Sequence, residues 1–110
     1  MIKHINIRTR ERTEFVNITQ DIQNAVTASG INSGVCYVYV SHTTAGITIN
    51  EGADPDVVTD MLSFLNSAIP HKGSYLHMEG NSDAHIKTSL MGSSERSEER
   101  RVGKECGARW

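Results

Sequence analysis

The strongest constraint on the fold is a helix that the sequence predicts immediately after Asp54. Asp54 is a good N-cap residue, Pro55 suits the first helical position, and Asp56 adds a favourable charge in the first turn. Pro70 stops any continuation of the helix, because proline removes a backbone donor and clashes with the preceding turn. The apolar residues between these points form a single stripe at helical spacing: Val57, Val58, Met61, Leu62 and Leu65.

Three segments are predicted to be strands. Residues 34–40 are β-branched and aromatic, and both faces of the run are apolar, which indicates a central strand. Residues 45–49 predict a second strand, and the partly alternating residues 2–8 predict a first strand near the N-terminus. The two faces of the 34–40 run consist of Val35, Tyr37 and Tyr39 on one side and Cys36, Val38 and Val40 on the other.

Two further segments complete the predicted elements. Thr19 can cap a helix that carries Ile22 and Val26 at helical spacing and ends at Gly30. Residues 84–90 predict a short helix or a strand. Strands separated by helices predict an α+β fold built on a sheet.

Composition excludes several classes of protein. A length of 110 residues predicts at most one domain. The chain carries 11 basic and 13 acidic side chains, for a formal net charge of −2, so we expect it to bind neither nucleic acid nor an anionic membrane. No apolar run approaches the roughly 20 residues of a membrane span. The N-terminus lacks a signal-peptide core, and Cys36 and Cys106 form no metal-binding spacing. A cytoplasmic location is expected.

The composition changes abruptly near Ser93. Residues 95–110 hold five basic and four acidic residues and show no hydrophobic period. They predict a disordered tail, with a marginal charged helix as the alternative. Residues 96–106 also resemble translated sequencing-adapter DNA, which implies a non-native tail. We therefore expect a domain at residues 1–94 followed by a tail at residues 95–110.

The segment of residues 41–51 carries the first candidate site residues. His42 follows the end of one predicted strand, which suits a metal ligand, although a structural histidine explains that position more simply. Thr43 and Thr44 offer hydroxyl groups to a ligand, and they are also ordinary strand residues.

Carboxylates and an amide follow close behind. Asn50 and Glu51 precede the start of the predicted helix, where free N–H groups suit an anion. Asp54 is explained by capping alone. Asp60 shares a helix face with Asp56, which indicates either a solvated face or a cation between carboxylates.

Two further histidines lie in a polar segment. His77 and His85 are eight residues apart, among Glu, Asn and Asp residues. Neutral imidazole is a common transition-metal ligand, but the spacing matches no well-defined zinc motif. The segment predicts a polar site without naming its chemistry.

Taken in order, these motifs closely resemble those of the YjbQ family, often labelled secondary thiamine-phosphate synthase. The resemblance implies a compact, β-rich, sandwich-like α+β fold, a homotrimer, and a metal-associated polar pocket near subunit interfaces. The matching motifs are His42-Thr43-Thr44-Ala45, Asn50-Glu51, Asp54-Pro55, Asp60-Met61, Tyr75, His77, Ala84-His85-Ile86-Lys87 and Leu90-Met91-Gly92.

The resemblance also implies roles for individual residues. The expected metal ligands are His42, His77 and His85, and the expected acid–base residues are Glu51 and Asp60. The expected substrate-binding residues are Thr43, Thr44, Asn50 and Asp54. The divalent ion would be Zn²⁺ if imidazoles dominate and Mg²⁺ if carboxylates do.

The implied reaction joins a pyrimidine diphosphate to a thiazole phosphate, so a small phosphorylated molecule is an expected partner. A metal-dependent hydrolase and a non-enzymatic trimer that binds a small molecule or a metal are the alternatives.

The sequence departs from the family pattern at its C-terminal end. Family members continue past Leu90-Met91-Gly92 with a strand that ends in Gly-Thr-Trp-Gln and a final strand rich in Arg. Neither segment is present. The expectation is a truncated chain with an unpaired sheet edge and an incomplete core, which folds poorly or aggregates.

Overall fold

The computed structural model describes residues 1–99 and 108–109 and has an α+β architecture, as predicted. Three helices and four short strands lie in the described residues. The elements in order are α1 (Thr19–Ser29), β1 (Gly34–Tyr39), β2 (Thr48–Ile49), α2 (Pro55–Ala68), α3 (Ser82–Met91), β3 (Ser94–Glu99) and β4 (Ala108–Arg109).

The strands form two antiparallel pairs. β1 pairs with β3 from Gly34 opposite Glu99 to Tyr39 opposite Ser94, and β2 pairs with β4. Residues 95–99 and 108–109 of the predicted tail lie in these strands, and the division into a domain and a tail stays a prediction. Strand pairing uses backbone N–H and C=O groups, which a charged sequence also possesses. The rest of the predicted tail lies outside the described residues.

The core is small and lies between α1 and the inner face of β1. Ile18, Ile22 and Ile47 are buried together. The partly buried side chains that pack against them are Ile5, Val16, Val26, Cys36, Val38 and Val40.

The outer face of β1 corrects the prediction of a central strand. Val35, Tyr37 and Tyr39 are 48%, 74% and 70% exposed, so only the inner face is covered within the described part of the chain. An apolar pattern on both faces shows what a strand can bury, but covering each face requires a neighbouring element. Here α1 covers one face.

The N-terminal segment also differs from its prediction. Residues 1–10 form no regular secondary structure, although residues 2–8 were expected to be a strand. A strand exists only when a neighbour pairs with it, and no described strand pairs with this segment. The segment borders a cavity of about 1560 Å³ that also contacts α1, β1 and α3.

Glu14 closes a turn just after that segment. Its carboxylate accepts the backbone N–H groups of Arg10 and Glu11, both at 2.6 Å. The bonds from Glu11 and Arg10 lower the pKa of Glu14 below its ordinary value, because they favour the charged carboxylate.

The caps predicted at Asp54 and Gly30 are confirmed. The Asp54 carboxylate accepts the Asp56 N–H at 2.9 Å and caps α2. α1 ends at Gly30, whose φ of 74° is the left-handed conformation that glycine adopts without strain.

The cap predicted at Thr19 is wrong. Thr19 is the first helical residue, the N-cap position is Ile18, and no side chain caps this end of the helix. Asn17 Oδ1 instead accepts the Thr19 N–H at 2.9 Å.

A buried carboxylate holds α3 in place. Residues 84–90, predicted as helix or strand, belong to this helix. Asp83 is 2% exposed and lies 3.2 Å from Arg12 Nη2 and 3.5 Å from Lys87 Nζ. Lys87 also donates to Asn66 Oδ1 of α2 at 2.8 Å. These contacts connect the N-terminal segment, α3 and α2, and they fix the helix that carries His85.

Two backbone hydrogen bonds join the end of α3 to the chain between β1 and β2. The Val40 N–H donates to Ser93 O at 2.8 Å, and the Ile47 N–H donates to Gly92 O at 3.0 Å. We call this pair of bonds the α3 clip. The approach requires glycine at position 46, because an added Cβ would lie 2.8 Å from Gly92 O and 2.9 Å from Met91 Cβ.

We expect Gly46→Ala to lower the free energy of unfolding by about 1–3 kcal/mol, because the new methyl group must push the α3 clip apart. Urea unfolding monitored by circular dichroism measures this change. Gly34→Ala is the matched control, since its Cβ would meet only Ile31 Cγ2 at 3.4 Å, an ordinary contact. Equal stability of the two variants would contradict the proposed strain at Gly46.

Candidate functional site

His42 lies just beyond the end of β1 and is held by a local turn. Its Nδ1 atom accepts the backbone N–H of Thr44 at 3.0 Å, and Thr44 Oγ1 lies 3.0 Å from the same nitrogen. A side-chain acceptor that binds the N–H two residues later reproduces the geometry of an Asx turn. The turn therefore orients the imidazole ring.

The C-terminal half of α3 meets this turn. His85, Thr88 and Ser89 are spaced at i, i+3 and i+4, so they share one face of the helix. The α3 clip brings Gly92 and Ser93 beside the end of β1. An open cleft of about 410 Å³ therefore lies between His42 and this face of α3. The cleft is lined by His42, Thr43, His85, Thr88, Ser89, Gly92 and Ser93.

His77 approaches the same group from the side. The His77 and His85 rings meet edge to face, with centroids 5.4 Å apart and an interplanar angle of 88°. His77 Nε2 lies 3.8 Å from the Glu79 carboxylate, and its side chain is partly exposed. The structure thus places two predicted site histidines, His42 and His85, in one cleft, with the third against the His85 ring.

The predicted amide and carboxylate residues form a separate group near the start of α2. Asn50 accepts the Glu51 N–H at 2.7 Å through Oδ1, and its amide lies 3.6 Å from Met61 Sδ. Asp54 caps the helix, and Asp60 is exposed along it. None of these residues lines the cleft, so within this chain the predicted site falls into two groups.

The arrangement of ligating groups does not fit a metal ion shared by the three histidines. In the described part of the chain, no three His, Cys, Asp or Glu side chains are grouped so as to hold a metal. The turn at Thr44 also occupies the Nδ1 lone pair of His42. The metal ion expected from the sequence therefore stays a prediction.

Four cleft residues were missing from the predicted site: Thr88, Ser89, Gly92 and Ser93. Thr88 and Ser89 could have been found, because they follow His85 at the helical spacing that places side chains on one face. Ser93 had no such signal, since tertiary contacts bring it to the cleft: the bond from Val40 and the pairing of β1 with β3.

Sequence relatives share most of this chain. A protein-family model described as "UPF0047 protein YjbQ-like" matches residues 3–97. UPF0047 protein MJ1081 of Methanocaldococcus jannaschii is 50% identical over 95 residues, which cover 86% of this chain and 69% of that protein. UPF0047 protein YugU of Bacillus subtilis is 45% identical over 96 residues, covering 86% and 73% respectively.

Solved structures share the fold. An uncharacterised conserved protein of the YjbQ/UPF0047 family from Clostridium acetobutylicum superposes with a TM-score of 0.84 at 46% identity, covering 93% of this chain and 81% of that one. Hypothetical protein APE1520 from Aeropyrum pernix gives a TM-score of 0.82 at 25% identity, with coverage of 94% and 79%.

Over the described residues, no helix is both long and apolar enough to cross a membrane. The order of motifs, the family match and the shared fold lead to one conclusion: the chain belongs to the YjbQ/UPF0047 family.

Proposed function

We propose that the cleft between His42 and His85 binds the phosphoryl group of a small molecule. The observation that supports this proposal is the chemistry of the lining, which contains imidazoles and hydroxyls and no carboxylate. The hydroxyls of Thr43, Thr88 and Ser93 make no hydrogen bond within the described residues, so they are free to donate to a ligand. A site rich in donors and lacking acidic groups suits an oxyanion.

The dipole of α3 opposes anion binding in the cleft, and its free energy can be compared with that of the hydrogen bonds. The cleft lies at the C-terminal end of α3, where the helix dipole disfavours negative charge by about 0.3–1 kcal/mol. Each hydrogen bond to a charged group contributes about 1.5–3 kcal/mol. Two such bonds therefore outweigh the dipole.

The proposed reaction is the one implied by the family resemblance, in which a pyrimidine diphosphate and a thiazole phosphate form thiamine phosphate and pyrophosphate. Both substrates and both products carry phosphoryl groups, which is consistent with an anion-binding cleft. Glu51 and Asp60 would serve as acid–base groups, with Asn50 and Asp54 beside them near the start of α2. Their side chains must reach the cleft of another copy or move toward it, since they do not line it within one chain.

We propose a homotrimer as the working assembly. Its support is the exposed apolar surface, which includes the outer face of β1 and the two residues on either side of His77. Leu76 and Met78 are each 96% exposed, so covering them with another copy would bury apolar area and enclose a site histidine.

We expect pyrophosphate to bind the protein, and His85→Ala to weaken that binding about tenfold, because one side of the cleft loses its imidazole. Isothermal titration calorimetry measures the affinity. His4→Ala is the control, since His4 is exposed and does not line the cleft. Equal weakening by both changes would contradict a site at His85.

We expect the chain to rescue growth of a bacterial strain that lacks thiamine-phosphate synthase, and Glu51→Gln to abolish the rescue while pyrophosphate still binds. The amide keeps the size of the side chain but cannot act as a base. Thr59→Ser on the exposed surface of α2 is the control. Pyrophosphate binding without rescue would favour a binding protein over a transferase.

We expect light scattering to give three times the chain mass, and the double change Tyr37→Asp with Tyr39→Asp to give a smaller species. Charges on the outer face of β1 would oppose its burial. Thr27→Asp, on the exposed surface of α1, should leave the mass unchanged. A wild-type monomer would contradict the proposal.

A further inference from the structure

We propose that His42 works as a neutral hydrogen-bond donor, with its Nε2–H directed to a phosphoryl oxygen in the cleft, and that it is not a metal ligand. The identity of the acceptor rests on the proposed function. The protonation pattern of the ring rests on the local turn alone.

The turn determines which ring nitrogen carries the proton. A backbone N–H can only donate, so the atom it meets at 3.0 Å, Nδ1 of His42, must offer a lone pair. A neutral imidazole has one protonated nitrogen and one acceptor nitrogen. The proton of His42 therefore lies on Nε2.

The second contact at Nδ1 agrees with this assignment. Thr44 Oγ1 lies 3.0 Å from Nδ1 and carries a hydroxyl proton, which it can also direct to that nitrogen. An imidazolium would place an N–H against the Thr44 N–H, and the two donors would repel each other. The residue that follows His42 by two positions thus selects the neutral Nε2–H tautomer.

This tautomer disagrees with the metal role implied by the family resemblance. A metal ion needs a lone pair, and in the Nε2–H tautomer the only lone pair belongs to Nδ1, which the turn occupies. His85 differs in this respect, since its ring nitrogens make no hydrogen bond within the described residues, and its ring contact is the edge-to-face packing with His77. Of the three predicted metal ligands, His42 is the one whose local hydrogen bond leaves it with an N–H to donate and no free lone pair.

The position of the His42 ring indicates which group accepts its Nε2–H. His42 and Thr43 line one side of the cleft, and His85, Thr88 and Ser93 line the rest. No carboxylate lines the cleft to accept the Nε2–H. His42 Nε2 also makes no hydrogen bond to another described residue, so its N–H is available to a ligand. Among ligands, a phosphoryl oxygen matches the hydroxyl donors nearby.

Nitrogen NMR tests the tautomer without any ligand. Long-range ¹H–¹⁵N correlation spectra of the uniformly labelled chain, recorded at about pH 8.5 to keep an ordinary imidazole neutral, distinguish protonated from unprotonated ring nitrogens. We expect the unprotonated shift at Nδ1 of His42 and the protonated shift at Nε2. A protonated Nδ1, or an even mixture of tautomers, would overturn the inference.

A matched pair of variants tests the role. His42→Asn keeps an acceptor for the Thr44 N–H and loses the outer donor, whereas His42→Gln places an amide N–H near the former Nε2 position. We expect His42→Asn to weaken pyrophosphate binding about tenfold and His42→Gln to stay within about threefold of wild type. Titration of the same variants with Zn²⁺ should give wild-type behaviour in both.

Loss of Zn²⁺ binding in both variants, with unchanged pyrophosphate affinity, would overturn the donor role and restore the metal role. Equal pyrophosphate affinity of His42→Asn and wild type would also overturn it. If the wild-type chain bound no pyrophosphate, the proposed function would fail, whereas the NMR and Zn²⁺ measurements would still decide between donor and ligand. Acetate serves as a comparison anion and should bind at least tenfold more weakly than pyrophosphate.

Discussion

The α3 clip is the interaction on which the rest of the site depends. Its two backbone hydrogen bonds, Val40 to Ser93 and Ile47 to Gly92, join segments that are more than 40 residues apart in the sequence. Together with the β1–β3 ladder, in which Tyr39 pairs with Ser94, they bring the β1 end that carries His42 beside the helix that carries His85. The closeness of Gly46 to Gly92 is the steric condition for these bonds, because a side chain at position 46 would occupy the space of the carbonyl.

A second set of contacts keeps α3 in place from its other end. The buried Asp83 carboxylate binds Arg12 and Lys87, and Lys87 continues the chain of contacts to α2. A buried charge is costly unless it is paired, so the pairing specifies where the N-terminal turn of α3 lies more than it adds stability. The clip at one end and the ion pairs at the other give His85 its position opposite the turn at Thr44.

The core of the chain is small, and this favours assembly with further copies. Three buried isoleucines form its centre, while apolar side chains on β1 and around His77 remain exposed. A domain of this size buries too little surface to be strongly stable by itself. The proposed trimer would therefore stabilise the fold and shape the site by burying the same surface, and the carboxylates near α2 would then be placed by a neighbouring copy.

The sequence by itself determined the local elements: the capped α2 between Asp54 and Pro70, α1 ending at Gly30, and the strand that begins at Gly34. Their signals lie within a few residues, so caps, propensities and periodicity suffice to predict them. The candidate histidines were found in the same way, along with their order in the family pattern. Tertiary structure alone decided which of those residues meet, that residues 2–8 pair with no strand among the described residues, and that residues 94–99 pair with β1. It also decided the tautomer of His42 and the division of the site into two groups. Pairing and convergence depend on contacts between distant segments, and no local pattern encodes the distance between two such segments.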